Sequence, residues 1–392
     1  MKITIVGGGT AGWMTASYLV SKFKDYEITL IESKEIPIIG VGESTLPSFL
    51  DFINEIGITE EDLFKIGSIR KYATEHNDWN FKGHQWWHYL VFNFNEEEEQ
   101  TNLLTKNLTT DKKWRYTYHI DANKFAILCR DKVGIPNNVN HVYDTILDCK
   151  FNSDGITELV GEHGNYTSDL YIDCSGFQQL LIGKFNNEIN KNNNLINNKA
   201  WAGHAAYNNN APVNYTRTHA MNNGWQWNIC LQDRVGVGYV FSDKFVSDED
   251  AKKELLAACP YAINIDTLKL IKFESKWMSN PWQKNVLAIG LSAGFLEPLE
   301  SQSIFLVQMQ IQMLDKIIKK NNKEKLYNKF WNLMVNHIAE YLAIHYTYSS
   351  RTDTSYWNSF KKQSAIDFKN TFSPLFHDYS YKVINRAYFT NE

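Results

Sequence analysis

The chain has 392 residues, 43% of them hydrophobic and 14% aromatic, enough to bury a core far larger than the smallest foldable domains need. Its 40 basic and 44 acidic residues leave a net charge of -4, so the overall field favours neither nucleic acid nor an anionic membrane surface, and small molecules are the expected partners. Five cysteines, an odd number without any C-x-x-C pair, fit a reduced cytoplasmic protein with ordinary buried thiols better than a disulfide framework or a zinc site.

The N-terminal apolar run at 3–6 meets glycine at Gly7, too short for a signal-peptide core. Nothing further along reaches the roughly 18 apolar residues of a membrane span, so a soluble, unexported protein is expected. Residues 3–6, the glycines that follow, the apolar spacing of Trp13, Ala16, Tyr18 and Leu19, and the run 28–31 predict strand, turn, helix and strand, a parallel β-α-β unit. A second α/β stretch follows, with a helix over 121–132 and strands over 139–150, 156–162 and 170–173. The acidic run 96–99 reads as a solvated loop. At 84–88, His84 and His88 stand four apart, a spacing that would let them share a helix face and bind metal. No third ligand is evident in the sequence, so a substrate-pocket wall or plain core is preferred and no metal is expected.

Residues 185–198 are dominated by Asn and Lys and read as a surface loop at a lobe boundary. Beyond them, 225–231 and 235–241 predict paired strands roofing a cavity. Helical spacing runs from 300 to 319 and again from 324 to about 345. No internal repeat is found.

Gly7, Gly9 and Gly12 form G-x-G-x-x-G between a strand and a helix, where backbone amides approach a pyrophosphate. Glu32 follows 20 residues after Gly12, placed to accept hydrogen bonds from ribose hydroxyls. The motif alone does not separate FAD from NAD. Two further strand ends, at 173–177 and 290–294, allow three loops to meet one extended cofactor, which favours FAD. The segment 290–294 also matches G-x-S-x-G, the nucleophile elbow of α/β-hydrolases, but that fold has no use for the dinucleotide turn, so Ser292 is discounted as a nucleophile despite Asp353 and His377 downstream.

With these residues in place, the sequence resembles the flavin-dependent tryptophan halogenases, in register over most of the chain. The resemblance is carried by GGGTAGWM at 7–14, GVGEST at 40–45, YHIDA at 118–122, DLYIDCSGF at 169–177, GWQWNICL at 224–231, GYVFS at 238–242, AIGLSAGFLEPLESQSI at 288–304 and RTDTSYW at 351–357. It implies an α/β fold: an FAD-binding Rossmann-type lobe of the glutathione-reductase kind, packed intimately against a substrate lobe of β-sheet and C-terminal helices. The whole of 1–392 would be one unit, with 1–184 and 285–320 on the FAD side and 199–284 and 321–392 on the substrate side.

The implied chemistry is oxidation of a halide ion by reduced FAD and O2 to hypohalous acid, which a lysine then aims at an electron-rich indole or phenol. A separate flavin reductase supplies the reduced flavin. Lys71 matches that lysine, eight residues before Trp79; either an ammonium or an amine offers a way to hold the electrophile. The competing reading is a solvated lysine beside Arg70. Glu300 matches the catalytic glutamate, which would stabilise and deprotonate a cationic arene intermediate; its plainer role would be to cap the following helix. Glu297 is the structural acid of the two.

The resemblance also implies FAD contacts from Gly7, Gly9, Thr10, Ala11, Gly12 and Glu32, from the strap Gly42, Glu43 and Ser44, and from Gly290, Leu291 and Ile304. Halide would bind the backbone amides of Gln302 and Ser303. Trp225 and Trp227 would wall the substrate off from the flavin, and Ser301 and His88 would lie on the substrate side. Gln302 and Cys230 depart from the family pattern, which has threonine and proline there, so halide preference is open. Family members continue further past 351–357, so a more open pocket and a substrate other than tightly clamped free tryptophan are expected. An FAD-dependent aromatic monooxygenase and a non-catalytic flavin-binding redox module are the alternatives. Whether the chain forms a homodimer is not readable from its sequence.

Overall fold

The computed structural model describes residues 1–35, 42–90, 115–208 and 211–360. The acidic run 96–99, the first two residues of the strap at 40–45, His377 and everything from 361 onward lie outside them.

A six-stranded sheet among the described residues carries the N-terminal unit, in the order Trp282–Gln283, Val286–Ala288, Leu170–Asp173, Lys2–Val6, Glu27–Glu32, Asn140–Tyr143. Every neighbouring pair is parallel except the edge hairpin 282–288. Parallel strands are covered on both faces, and their sequences accordingly run as ITIV and TLI with little alternation. The helix Thr10–Lys22 packs on this sheet through Trp13, Met14, Ala16 and Leu19, all buried, and its other flank meets Phe125 and Cys129 of the helical stretch 122–134.

A second, eight-stranded sheet follows the order Ala262–Ile263, Lys199–Ala206, Val235–Phe241, Gly224–Cys230, Tyr215–Ala220, Ala73–Asn77, Gln85–Tyr89, with Lys269–Lys272 also pairing with Lys199–Ala206. The expected hairpin is present: Gly224–Cys230 runs antiparallel to Val235–Phe241. Glu43–Ser44, Thr117–Ile120 and Ile69–Lys71 form a small sheet in that order, and Ile69–Lys71 contacts Tyr215–Ala220 of the eight-stranded sheet. The long helices Gln302–Ile317 and Lys323–Thr347 close the structure, and no helix among the described residues is long and apolar enough to cross a membrane.

Two readings of the sequence are refined. Residues 85–89, whose histidine spacing would also have suited a helix face, form a strand paired with Ala73–Asn77, where Trp86 and His88 gain cross-strand partners in His76 and Thr74. The Asn-rich stretch 185–198 is not simply solvated. It contains the strand Ile189–Lys191, and Asn197 is buried, with its amide shared between Glu297 and Tyr346. All five cysteines are free thiols.

Candidate functional site

The glycine turn makes an open cradle. Gly7 has φ +115°, and a Cβ there would come within 2.3 Å of the Cys174 carbonyl oxygen. A Cβ on Gly12 would land 1.9 Å from the Gly7 carbonyl oxygen, so helix and strand approach only without a side chain. At Gly9, by contrast, a Cβ would meet nothing within 4 Å. Gly9 also begins the helix Thr10–Lys22 without a side-chain cap, leaving its first amides free for an anion. Glu32 reaches back over the turn, close enough that a Cβ on Gly8 would overlap its Oε2, while its Oε1 meets His141 Nε2 at 2.6 Å. Thr10 donates to the Ala122 carbonyl at 3.1 Å, and Ala11 faces Gly290, whose Cβ would come 2.9 Å from its own. The turns at 7–12, 173–177 and 290–294 therefore meet, as a long dinucleotide requires, and these residues fit FAD. Ser292 is buried and donates to the backbone carbonyls of Asp173 and Ile289, a structural role that removes it as a nucleophile.

Lys71 is only 1% exposed, so it is not a solvated neighbour of Arg70. It ends the strand Ile69–Lys71, opposite Thr117, and its Nζ donates to Ser301 Oγ at 3.0 Å and to the Thr45 carbonyl at 3.5 Å. Arg70 points the other way, to Glu60 at 2.7 Å. Burial pulls the Lys71 ammonium down to about 8, with the Glu300 carboxylate opposing the shift. A chain of hydrogen bonds runs on from it. Ser301 Oγ donates to Ser44 Oγ at 2.8 Å, Ser44 meets Thr216 Oγ1 at 3.0 Å, and Thr216 meets His119 Nε2 at 2.8 Å. His119 Nδ1 lies 3.0 Å from the Cys230 carbonyl, an acceptor only, so Nδ1 carries the proton and Nε2 accepts. Burial and the Lys71 charge push His119 down to about 3, which keeps it neutral and fixes the direction of the whole chain from Lys71 to Cys230. The strap residue Ser44 is thus tied to Lys71 through Ser301.

Glu300 and Ser301 both adopt left-handed backbone, φ 61° and 60°, a paired irregularity in non-glycine residues. The kink turns the Glu300 side chain away from the following helix, Gln302–Ile317, so it does not cap that helix. Its buried carboxylate meets three histidines: Oε2 lies 2.5 Å from His88 Nδ1, and Oε1 lies 2.8 Å from His76 Nε2 and 3.5 Å from His345 Nε2. Burial opposes its ionisation, but the surrounding imidazoles outweigh that and hold it well below the usual carboxylate range. His76 is pushed down to about 4 because burial outweighs the attraction of Glu300. Glu297 is held apart from this centre by Trp225 Nε1 at 3.2 Å, Asn197 and Tyr346, and burial raises it to about 7.

Beside Glu300 and Ser301 lies a cavity of about 40 Å³, lined in part by Gly42, Glu43, Ser44, Trp227 and Ser303. A water takes roughly 10–15 Å³ measured in the same way, so the space suits a halide ion or a small oxidant and not an arene. Burial raises Glu43, on its wall, to about 7. Ser303 is the second residue of the helix Gln302–Ile317, whose preceding Ser301 spends its hydroxyl on Lys71 and Ser44 and gives the first turn no side-chain cap. The Gln302 side chain folds back to the Glu300 carbonyl at 3.0 Å. Ile304 is buried and Leu291 partly so. Trp225 and Trp227 lie on one strand with ring centroids 5.9 Å apart, and Gly238 opposite makes room: a Cβ there would strike the Trp227 ring at 2.1 Å.

Sequence reasoning missed His76, His345, Thr216 and His119. Each reaches the site through long-range sheet or helix packing, and of the four only His119 stands in a quoted segment, YHIDA at 118–122. That His88 and His76, on neighbouring strands, both reach Glu300 is not visible in the spacing of His84 and His88.

The sequence profile of the tryptophan halogenase family matches residues 2–103 and 93–387. The chain is 30% identical over 431 residues to tryptophan 6-halogenase SttH of Streptomyces toxytricini, covering 93% of this chain and 82% of that one. It is 28% identical to tryptophan 7-halogenase RebH of Lentzea aerocolonigenes, covering 93% and 80%. Among solved structures it is similar to Xcc4156, a flavin-dependent halogenase from Xanthomonas campestris, with TM-score 0.90 and 26% identity over 99% of this chain and 88% of that one.

Proposed function

The chain belongs to the tryptophan halogenase family and is a flavin-dependent halogenase using FADH2, O2 and halide, and from that premise we propose that Lys71 and Glu300 act together on an electron-rich indole or phenol. Bound reduced FAD supplies the reducing equivalents with which O2 oxidises the halide. Within the proposal, Gly7, Gly9, Gly12, Thr10 and Ala11 hold the pyrophosphate, Glu32 the ribose, and Gly42, Glu43, Ser44, Gly290, Leu291 and Ile304 the rest of the cofactor. The Gln302 and Ser303 amides seat the halide in the small cavity. The Lys71 ammonium then hydrogen-bonds hypohalous acid and aims it, while Trp225 and Trp227 keep the arene off the flavin. Glu300 stabilises the cationic arene and takes its proton. Ser301 positions Lys71, and His88 positions Glu300. Among the described residues, the flavin side comprises those of 1–184 and 285–320, and the substrate side those of 199–284 and 321–360. A separate reductase in the cytoplasm supplies FADH2.

The observation that carries this reading is the burial of Lys71 against Ser301, which together with Glu300 lines a halide-sized cavity. The test supplies FAD, a flavin reductase, NADH, O2 and each halide to the protein with a panel of indoles and phenols, and weighs the products by mass spectrometry. Halogenated product that requires halide is expected. Hydroxylated product without halide would make it a monooxygenase, and no turnover of any arene would leave a flavin-binding module.

A further inference from the structure

Glu300 sits inside more imidazole than a catalytic carboxylate needs. His76, His88 and Glu300 are all buried, and one ligand atom from each lies within 4.8 Å of the others. His345, fully buried as well, brings Nε2 to 3.5 Å of Glu300 Oε1.

The outer contacts fix which ring nitrogens face inward. His345 Nδ1 lies 3.0 Å from the Tyr341 carbonyl, which leaves Nε2 on the side of Glu300. His76 is held in the same sense. Its Nδ1 meets Thr218 Oγ1 at 2.9 Å, and that hydroxyl also has the Glu75 carbonyl at 3.3 Å as an acceptor, so it is able to take the Nδ1 proton and leave Nε2 as a donor atom. His76 Nε2 and Glu300 Oε1, although 2.8 Å apart, do not make a hydrogen bond of acceptable geometry. An imidazole anchored through its far nitrogen to a carbonyl or hydroxyl is the support that metal-ligating histidines ordinarily have.

We propose that His76, His88 and Glu300, with His345 beside them, form a binding site for one divalent transition-metal ion of the zinc class. Imidazole nitrogens with one carboxylate suit zinc, cobalt or ferrous ion and not magnesium or calcium, which take oxygen ligands. Binding is a ligation step only: the proton shared between His88 Nδ1 and Glu300 leaves to solvent as the metal takes its place, and nothing is oxidised or reduced. The third ligand absent from the sequence spacing of His84 and His88 is thus delivered by the neighbouring strand and by Glu300. A bound ion occupies the carboxylate, so the metal-loaded protein is inactive in halogenation; this consequence alone rests on the role proposed for Glu300.

The test strips the full-length protein with a chelator, titrates it with Zn2+ and with Co2+, and measures metal content by mass spectrometry and the visible Co2+ spectrum. One tightly held equivalent is expected, with a tetrahedral or five-coordinate cobalt band. His76→Asn and His88→Gln, each checked for retained flavin binding, lower the affinity at least tenfold, and His163→Gln, on an exposed turn, leaves it unchanged. Absence of stoichiometric binding to the wild-type protein overturns the proposal, as does an affinity that neither His76→Asn nor His88→Gln alters. Halogenation is assayed in parallel. A metal-free protein that never halogenates counts against the role of Glu300 and leaves the binding result standing. Halogenation that proceeds at full rate with one equivalent of zinc bound overturns the inactive metal-loaded state.

Discussion

At the residue scale, the environment of Lys71 makes its protonation testable. The folded chain lowers its ammonium to about 8 from the ordinary 10.5, so below about 8 the charged form predominates and donates to Ser301 and Thr45. If the ammonium aims the oxidant, the rate of arene halogenation in single turnovers with preformed FADH2 falls as pH rises through about 8. A rate that climbs through that range would assign delivery to the neutral amine. The same shift has a stability consequence of opposite sense. Burial disfavours the charged form only in the folded state, so stability rises between about 8 and 10.5, where the unfolded chain holds the extra proton. Urea unfolding of wild type against Lys71→Met measures it as a pH slope present only in the wild type. Glu300→Gln keeps the shape but not the charge or basicity, and is expected to lower product formation by roughly 10²-fold or more while halide oxidation continues. An unchanged rate would remove Glu300 from the chemistry.

At the scale of elements, the glycine turn was legible because its chemistry is local: strand, G-x-G-x-x-G and helix are contiguous, and the carboxylate of Glu32 follows at a fixed interval. Gly12→Ala tests it, since the added Cβ would fall 1.9 Å from the Gly7 carbonyl oxygen. Flavin titration by fluorescence is expected to show at least tenfold weaker binding, and wild-type affinity would contradict the turn's assigned role. The strands at 224–230 and 235–241 were legible for the same reason, being adjacent in sequence and rich in β-branched and aromatic residues. What was not legible is what the sheets bring together. Strand Ala73–Asn77 is parallel to Tyr215–Ala220 across more than a hundred residues, and only that pairing puts His76 beside Thr218. The spacing of His84 and His88 read as helical because four-residue spacing also returns to the same face of a strand. Asn197 looked solvated by composition, yet it is buried because Glu297, Trp225 and Tyr346 form a polar knot that needs its amide.

At the scale of the whole molecule, one small sheet carries both Ser44 and Lys71, so the strap and the lysine share one hydrogen-bonded support. The segment after the last long helix locks this assembly. Arg351 donates to the Ala220 carbonyl at 2.8 Å, pairs with Asp353 at 2.9 Å and lies against the Trp357 ring, while Ser349 Oγ donates to the Trp79 carbonyl at 2.6 Å. Arg351→Ala leaves a buried carbonyl without its partner and is expected to cost about 3 kcal/mol in urea unfolding, since breaking such a pair strands polar groups. A change below about 0.5 kcal/mol, the range of ordinary surface substitutions, would show that this segment is not a lock. The central claim is that Lys71 carries the oxidant from the halide cavity to the arene, and the most direct measurement gives wild type, Lys71→Ala and the volume-conserving Lys71→Met the same FADH2, O2, bromide and indole. Brominated arene and free hypobromous acid, caught by a soluble trap, are then quantified separately. The variants are predicted to release hypobromous acid while forming almost no brominated arene, and brominated arene at wild-type yield in either folded variant would contradict the account.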